Sequence, residues 1–576
     1  MRRRFSPFTL ALGAGLVLLV ACKDKDLAIT NPNAGDTKRV LATPTDAENL
    51  LGNYFKRWHS GLYGSANPPT TFEGMANVMS LQNFSSLANN CQNIRTPFTG
   101  AGNVNTPGNP CAGEQYNPFQ VMNEVNRVAS NFLGVVDGFT SFTPSQVASD
   151  KAFAELLRGL SLGYVALFYD SSAVVTKGTD PLDPGKLQYY TVVMDSAMAA
   201  LQRSIDNTNA AVAAGGFSIP ATWMPSPTVF NSTEFIKMVR SYRARFRASV
   251  ARTPAERAAV DWTAVIADAQ NGFTADHLLT LDATNGPFSG WRRRYDPGGD
   301  SWHQMPPFII GMGDVSGNYE KWLATSLGAR GAGNVGFFME SPDLRFPQGA
   351  TRTDQQTDFK IQDCEIAGGQ VKAPTGAASC KRYFANRKSA DQFTGAGWGW
   401  SNYDFERFHW FFNKGGAGAP RTGDLVFFTK AELDMLQAEG LIRKGQFAQA
   451  AALINVTRVR NGLPAITAFD ATSPVPGGAD CVPRIPVAPT FTSTACGNML
   501  EAMKWEKRME SAYTHFAAWF LDSRGWGDLP EGTALFWSVP FQELQVRGYH
   551  TDQIYGAGIG PGNAPNSVAG KNTYGW

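Results

Sequence analysis

The stretch "TKAELDMLQAEGLIRKGQFAQAAALINVTRVRNGLP", residues 429–464, decides the fold. It opens with Thr429-Lys430-Ala431-Glu432, a hydroxyl three residues ahead of a glutamate, which is the signature of a helix start. The periodicity then predicts two helices of about a dozen residues meeting at Lys444-Gly445-Gln446. Small residues recur along both: Ala438 and Gly440 on the first helix, Ala450 and Ala451 on the second. Small side chains let two backbones approach closely, so the expectation is that these four face each other, with Leu441 and Ile454 filling the seam.

This hairpin resembles a tetratricopeptide unit, with Ala438, Ala450 and Ile454 at the small, small and bulky positions of that repeat. A hairpin of this kind cannot bury its apolar face alone and must stack on neighbours. The sequence offers them at 152–169, 188–206 and 233–250, all amphipathic. In "AFAELLRGLSLGYVALFYD" the residues Phe153, Leu156, Leu157, Leu160, Tyr164, Leu167 and Phe168 mark one face. Near the start, "TPTDAENLLGNYFKRWH" places Ala47, Leu50, Leu51, Tyr54, Phe55 and Trp58 on one stripe behind Thr43 as cap and Pro44 in the first turn. Similar starts stand at Thr143 and Thr253, and residues 119–133, 261–271 and 498–521 read as further helices. The fold class expected is mainly α: stacked helix pairs, few short strands, and long irregular loops at 60–117, 272–424 and 465–495. Loops of that length are usually functional or carry short elements of their own.

The totals narrow the function. The chain has 576 residues, 43% of them hydrophobic, enough for a large core. Setting aside the arginines at 2–4, 48 basic residues face 49 acidic ones, so neither nucleic acid nor an anionic membrane surface is expected as a partner. Of seven cysteines, six fall into neighbouring pairs: Cys91 with Cys111, Cys364 with Cys380, Cys481 with Cys496. Six cysteines permit fifteen connectivities, and local pairing is the expectation taken. No CxxC or HxxxH spacing suggests metal, and no cofactor is expected.

The seventh cysteine has another explanation. Arg2, Arg3 and Arg4 precede an apolar run from Leu10 to Val20, too short to span a bilayer, which needs ~20 apolar residues. The run ends at Leu19-Val20-Ala21-Cys22, which resembles the lipobox of bacterial lipoproteins. That resemblance implies cleavage before Cys22 and lipidation there, each buried methylene of the acyl chains adding ~0.8 kcal/mol of anchoring. The division expected is a leader at 1–21, a lipidated tether at 22–43, and one large domain at 44–576, helical to 272 and loop-rich with C-terminal helices thereafter.

The order of motifs along the chain carries a wider resemblance. The lipobox leads to the helix at 152–169 and then to the hairpin with Asn455, Arg458, Arg460 and Gly462. "KWEKRMESAYTHFAAWFLDSRGWGD" follows, with Glu506, Arg508, Arg524, Trp526 and Gly527, and then "LFWSVPFQELQV" with Pro540, Glu543 and Leu544. "SPDLRF" adds Asp343 and Arg345. This sequence of features resembles the SusD/RagB family of outer-membrane lipoproteins. The resemblance implies a surface-exposed, lipid-anchored protein of the cell outer membrane. It implies capture of a nutrient, often an oligosaccharide, without catalysis, and delivery to a TonB-dependent barrel of the SusC kind. "AYTHFAAWFLD" departs from the family pattern, in which an acidic residue and a glycine stand between the Glu-Arg pair and the Arg-Trp turn.

Sugar recognition needs flat apolar platforms for the CH face of a pyranose and planar polar groups for its hydroxyls. Two loop stretches supply both: "GWRRRYDPGGDSWHQ", with Trp291, Arg292, Trp302 and His303, and "GWGWSNYDFERFHW", with Trp398, Trp400, Asn402, Tyr403 and Trp410. These nine are the candidate ligand-binding residues; the competing role for each is packing a loop on the helical frame. Two catalytic patterns are set aside. "GLSLG" at 159–163 matches GxSxG, but Ser161 falls inside a helical periodicity where that motif needs a strand, a sharp turn and a helix. "GAGNVG" at 331–336 matches GxGxxG without a preceding strand. The alternatives retained are a secreted glycan-degrading enzyme on a helical scaffold and a protein-binding surface adaptor.

Overall fold

The computed structural model describes residues 40–63, 72–82, 84–85, 99–100, 103–109, 112–180, 183–282, 303–326, 329–330, 337–361, 366–367, 370–371, 382–386, 401–405, 407, 423–514, 517–549 and 568–576. Cys22 and the leader, and Cys91, Cys111, Cys364 and Cys380, lie outside these residues, as does 331–336. The frame is helical: α1 (Pro44–Tyr63), α2 (Ala112–Val135), α3 (Pro144–Phe168), α4 (Tyr190–Ala213), α5 (Ser232–Ser249), α6 (Trp262–Gln270), α7 (Lys430–Arg443), α8 (Phe447–Arg460), α9 (Met499–Ser511) and α10 (Ala518–Trp526), with shorter helices between. Strands among the described residues are short and pair only in twos. No helix there is long and apolar enough to cross a membrane.

The helix starts read from the sequence are formed as expected. Thr43, Thr143, Thr253 and Thr429 each accept a backbone N–H three residues on, at 3.3, 3.1, 3.2 and 3.2 Å. Such a cap contributes ~1 kcal/mol relative to alanine. "GLSLG" is helical: Ser161 is buried in α3 and its hydroxyl donates to the Arg158 carbonyl at 3.1 Å, so no nucleophile is presented.

α3 is the axis of the first half. From Ala148 to Phe168 nearly every side chain is buried, because α2, α4 and α5 pack around it, and α1 packs against α2. Close approach is built in at Gly163, where an added Cβ would fall 2.1 Å from the Phe246 ring of α5. Trp58 of α1 sits at the centre, edge-on to Tyr242 and Phe427 and tilted against Tyr164. The expected stripe on α1 is present, with Ala47, Leu51, Phe55 and Trp58 buried and Leu50 and Tyr54 at its margin.

The hairpin α7–α8 forms, but its seam differs from the expected one. Ala438, Leu441, Ala450, Ala451 and Ile454 share one apolar cluster, closed by Met499, Ala502 and Met503 of α9. Gly440 points the other way: an added Cβ would meet Ile266 of α6 at 2.8 Å. Two residues' separation on a helix is about 200°, so Ala438 and Gly440 cannot line one seam. The hairpin stacks on α6 and α9, and on α5 among the earlier helices proposed as partners. The segment 498–521 is two helices rather than one. The chain reverses between α9 and α10, with Tyr513 and Ala517 at φ 54° and 56°, and Trp519 donates back to the Arg508 carbonyl at 2.8 Å.

Buried ion pairs tie the second half together and join it to the first. Arg345 is fully buried against Asp343 (2.7 Å), Glu506 (2.9 Å) and Glu510 (3.3 Å), and the Trp505 indole donates to Asp343 at 2.9 Å. Arg257 forks onto Glu439 and reaches Asp522 at 3.1 Å, while Lys507 takes Asp522 at 2.8 Å. Arg508 holds Asp528 at 2.6 Å, and the Trp526 indole donates to Glu439 at 3.1 Å. Arg245 of α5 pairs with Glu432 of α7 at 2.7 Å, both buried. The motif residues Asp343, Arg345, Glu506, Arg508 and Trp526 are therefore frame. So are Arg458, which donates to the Pro464 carbonyl at 2.7 Å, and Arg524, which donates to the carbonyls of Leu535 and Ser249 at 2.9 Å each.

Candidate functional site

Two strand pairs and one serine position the aromatic-rich stretches. In the first pair, β1 (His277–Leu281) runs antiparallel to β4 (Gly423–Phe428), with Leu281 opposite Gly423. The chain therefore leaves for 283–302 and returns from 408–422 at the same end of one ladder. In the second pair, β2 (Phe384–Asn386) and β3 (Tyr403–Phe405) pair antiparallel with Asn386 opposite Tyr403, so 387–400 springs from that end. The far end of 283–302 meets this second root. The Ser401 hydroxyl donates to the Met305 carbonyl at 2.6 Å, and the Met305 N–H lies 3.4 Å from the Tyr403 carbonyl. Ser401 also bridges to Phe337, and His303 pairs with Ser85.

Trp302 stands three residues before Met305 in sequence, and Trp400 one residue before Ser401. Both, with Trp291, Arg292, Trp398 and Trp410, lie outside the described residues, and His303 is described as backbone only. The structure thus brings together the anchors of the two stretches.

Asn402 and Tyr403 take a different place from the one expected. Both are buried, and Tyr403 has no exposed surface at all. Its ring lies among Phe337 and Phe346, and its hydroxyl accepts the Met339 N–H at 3.3 Å and donates to Gln355 Oε1 at 2.7 Å. Burial pushes the phenol pKa well up, so it stays protonated as that donor. Asn402 and Tyr403 support the loop and offer no face to a ligand. The alternation of strand β3 carries the reason, since Tyr403 and Phe405 point to one side and both reach the core.

Sequence reasoning passed over Trp322 and Trp576, two half-buried tryptophans set on either side of Phe308, at 4.8 and 5.0 Å between ring centres. Arg330 stacks over Trp322 at 4.1 Å, and the Trp322 ring lies 6.4 Å from Phe337, the residue bridged to Ser401. Arg330 also donates to the carbonyls of Thr325 and Leu323 at 2.8 Å each, and Tyr319 stacks near-parallel with Trp322 at 5.9 Å, so this cluster buttresses the junction. The signal was faint. "NYEKWLA" is a short helix, Asn318–Ala324, with one tryptophan, and the other is the last residue of the chain.

Among the described residues no group of three or more His, Cys, Asp or Glu side chains is arranged to hold a metal ion. Of the three cysteine pairs, Cys481–Cys496 is described and is a disulfide, closing the hairpin of β5 (Arg484–Pro486) and β6 (Thr494–Cys496).

No protein-family model matches the sequence, and no curated protein matches it. Among solved structures, a SusD superfamily protein from Parabacteroides distasonis superposes with a TM-score of 0.53 at 11% identity, covering 88% of this chain and 98% of that one. A SusD superfamily protein from Bacteroides vulgatus gives 0.49 at 12% identity over 89% and 91% of the two chains. A laminarin-binding SusD-like protein gives 0.42 at 14% identity over 87% and 97%. The fold rests on the first of these: it is the SusD-like fold, mainly helical and tetratricopeptide-like.

Proposed function

We propose that this chain is a surface-exposed outer-membrane lipoprotein, anchored through Cys22, that captures an oligosaccharide and delivers it unaltered to a TonB-dependent, SusC-like barrel. The observation that carries the reading is the junction of Met305 with Ser401. On a SusD-like frame it brings the ends of two tryptophan-rich stretches together beside Trp322. Stacking surfaces are then supplied by Trp291, Trp302, Trp398, Trp400 and Trp410, and polar groups by Arg292 and His303. The lipobox at Leu19–Cys22 supports the anchor. The cysteine pairs Cys91–Cys111 and Cys364–Cys380 are proposed as disulfides like the one at Cys481–Cys496. The domain division at 1–21, 22–43 and 44–576 is kept with this reading.

The deciding experiment is affinity isolation of the native protein from detergent-solubilised outer membranes. Recovery of a TonB-dependent barrel in near-equal amount is expected. Glycan binding to the isolated complex should then be lost on Trp302→Ala or Trp398→Ala. Recovery without a barrel would remove the delivery step. Release of shortened glycan products would make the protein an enzyme, and association with protein alone, without any saccharide, would make it an adaptor.

A further inference from the structure

Far from these stretches in sequence, a cleft of about 360 Å³ opens among α2, α3, α4 and the loop after the strand Ser171–Ala173. Its lining is dominated by cations. Lys151, Glu155 and Arg158 stand at i, i+4 and i+7 on α3, so one face of that helix presents all three. Arg203 and Asn207 come from α4 at i, i+4, Thr176 and Lys177 from the loop, and Leu133 of α2 supplies an apolar patch.

The charges do not balance. Glu155 is the only acid in the lining, and both its oxygens are taken: Arg203 forks onto them at 2.7 and 3.1 Å, and Arg158 shares one at 3.0 Å. Arg158 is buried and fixed by the Val175 carbonyl at 3.1 Å, and burial lowers its pKa despite Glu155, which marks how poorly its charge is solvated. Lys151 pairs from the rim with Asp137. Asp180 and Asp183, on the same loop as Lys177, act on Arg127. Counting Asp137, two positive charges remain uncompensated, and the exposed ones belong to Lys177 and Arg203, which is 45% exposed.

A cleft of this size suits a small ligand rather than a bare ion. Beside the cations it offers the neutral polar side chains of Thr176 and Asn207 and the apolar Leu133, a mixture fitted to a hydroxylated ring carrying one negative group. We propose that this cleft is a binding site for a saccharide unit bearing a carboxylate or sulfate, with Lys177 and Arg203 holding the anion. It stands independently of the uptake reading, because it needs neither the barrel nor the aromatic stretches.

Titration calorimetry on the mature protein tests it with digalacturonate and N-acetylglucosamine 6-sulfate as probes. The neutral digalactose and sodium sulfate serve as controls. At least one acidic sugar should bind, more weakly as salt is raised, with digalactose at least tenfold weaker. Lys177→Glu, at an exposed position, should lower affinity about tenfold or more, and Arg203→Gln should do likewise with an unchanged circular-dichroism spectrum. Equal affinity for digalactose overturns the proposal. So does sulfate binding as tightly as either acidic sugar, which would mean an adventitious ion only, or failure of both acidic sugars to bind. Binding untouched by Lys177→Glu would place the ligand elsewhere and overturn it too. Loss of an acidic protein partner, rather than a saccharide, on the same substitution would make the cleft a protein contact.

Discussion

The α3–α4 pair and the α7–α8 hairpin are both antiparallel helix pairs, yet they are specified by different physics. Around α3 the contacts are mainly apolar and steric, with Glu155 the one carboxylate that pairs with Arg158 and Arg203 at its edge. Phenylalanine, leucine and tyrosine fill the space, and Gly163 admits the Phe246 ring. Around α7–α8 and α9 the apolar seam is thinner, and position is set by guanidinium–carboxylate pairs that join residues far apart in sequence: Arg345 with Glu506, Arg257 with Glu439, Arg245 with Glu432. An apolar interface tolerates a volume-conserving change as long as area stays buried. A buried ion pair does not, because a displaced charge is left without a partner. The second region therefore trades desolvation cost for a fixed register, and it is the region from which the tryptophan-rich stretches spring.

If this contrast is right, deleting a charge in the second region should be the most damaging single change. Arg345→Met leaves Asp343, Glu506 and Glu510 buried around an uncharged side chain, and the expected loss is at least about 3–5 kcal/mol in chemical denaturation. Burial already raises the Glu506 pKa, against the pull of Arg345. Without Arg345 that carboxyl should be raised further, so the variant should regain part of its stability as pH is lowered. A loss below 1 kcal/mol would show that the network is decorative. Arg257→Met comes next, at about 3 kcal/mol, because Glu439 keeps Arg443 at 3.0 Å and the Trp526 indole. Glu439, opposed by its own burial but held chiefly by Arg257, has a pKa of about 2. Its stabilisation is present above the ordinary glutamate pKa and disappears as pH falls through about 2. The double variant Arg257→Met/Glu439→Leu sharpens the comparison. It should recover most of the loss, since replacing both partners with apolar groups removes the stranded charge.

The same contrast explains what could be read from the sequence. Periodicity and caps are local, so the helices, the four threonine starts and the hairpin itself were legible at positions such as Thr143 and Thr429. The helical burial of Ser161 was legible for the same reason. The facing of Gly440 toward Ile266 was not, because the partner helix lies about 170 residues away in the chain, and a small residue announces close approach without naming the neighbour. The split between α9 and α10 was hidden because Tyr513 and Ala517 take a left-handed conformation that ordinary residues seldom adopt. Arg345 and Glu506 were noticed as motif members, but their pairing across 161 residues leaves no periodic trace. In the candidate site, aromatic richness singles out two stretches but cannot separate Tyr403, whose ring is core, from its neighbours. Burial of one tyrosine in an aromatic run depends on which side of a three-residue strand faces inward.

In the first region the expected damage is steric. Gly163→Ala forces a methyl group into the Phe246 ring, and the expected loss is about 1–3 kcal/mol, read as a fall in melting temperature. Phe246→Leu in the same chain should restore part of it by making room. A Gly163→Ala protein as stable as the parent would mean that α3 and α5 can move apart, and the rigid-axis picture would fail.

The last effect has the opposite sign and touches a buried carboxyl of the apolar region. Asp150 of α3 is buried, and burial together with the neighbouring Glu48 raises its pKa to about 8. In the unfolded chain the carboxyl titrates near 4, so between about pH 4 and 8 the folded state holds a proton that the unfolded state has released. Stability should therefore decline as pH rises across that window. Asp150→Asn removes the titrating group while keeping its shape. It should stabilise the protein at pH 8, with little change at pH 4, and flatten the pH profile of the melting temperature between them. If the variant is equally destabilised at both pH values, Asp150 is held as a carboxylate by contacts the helix frame supplies. The apolar region would then hold a further buried carboxylate besides Glu155, and the division between the two halves would be one of degree.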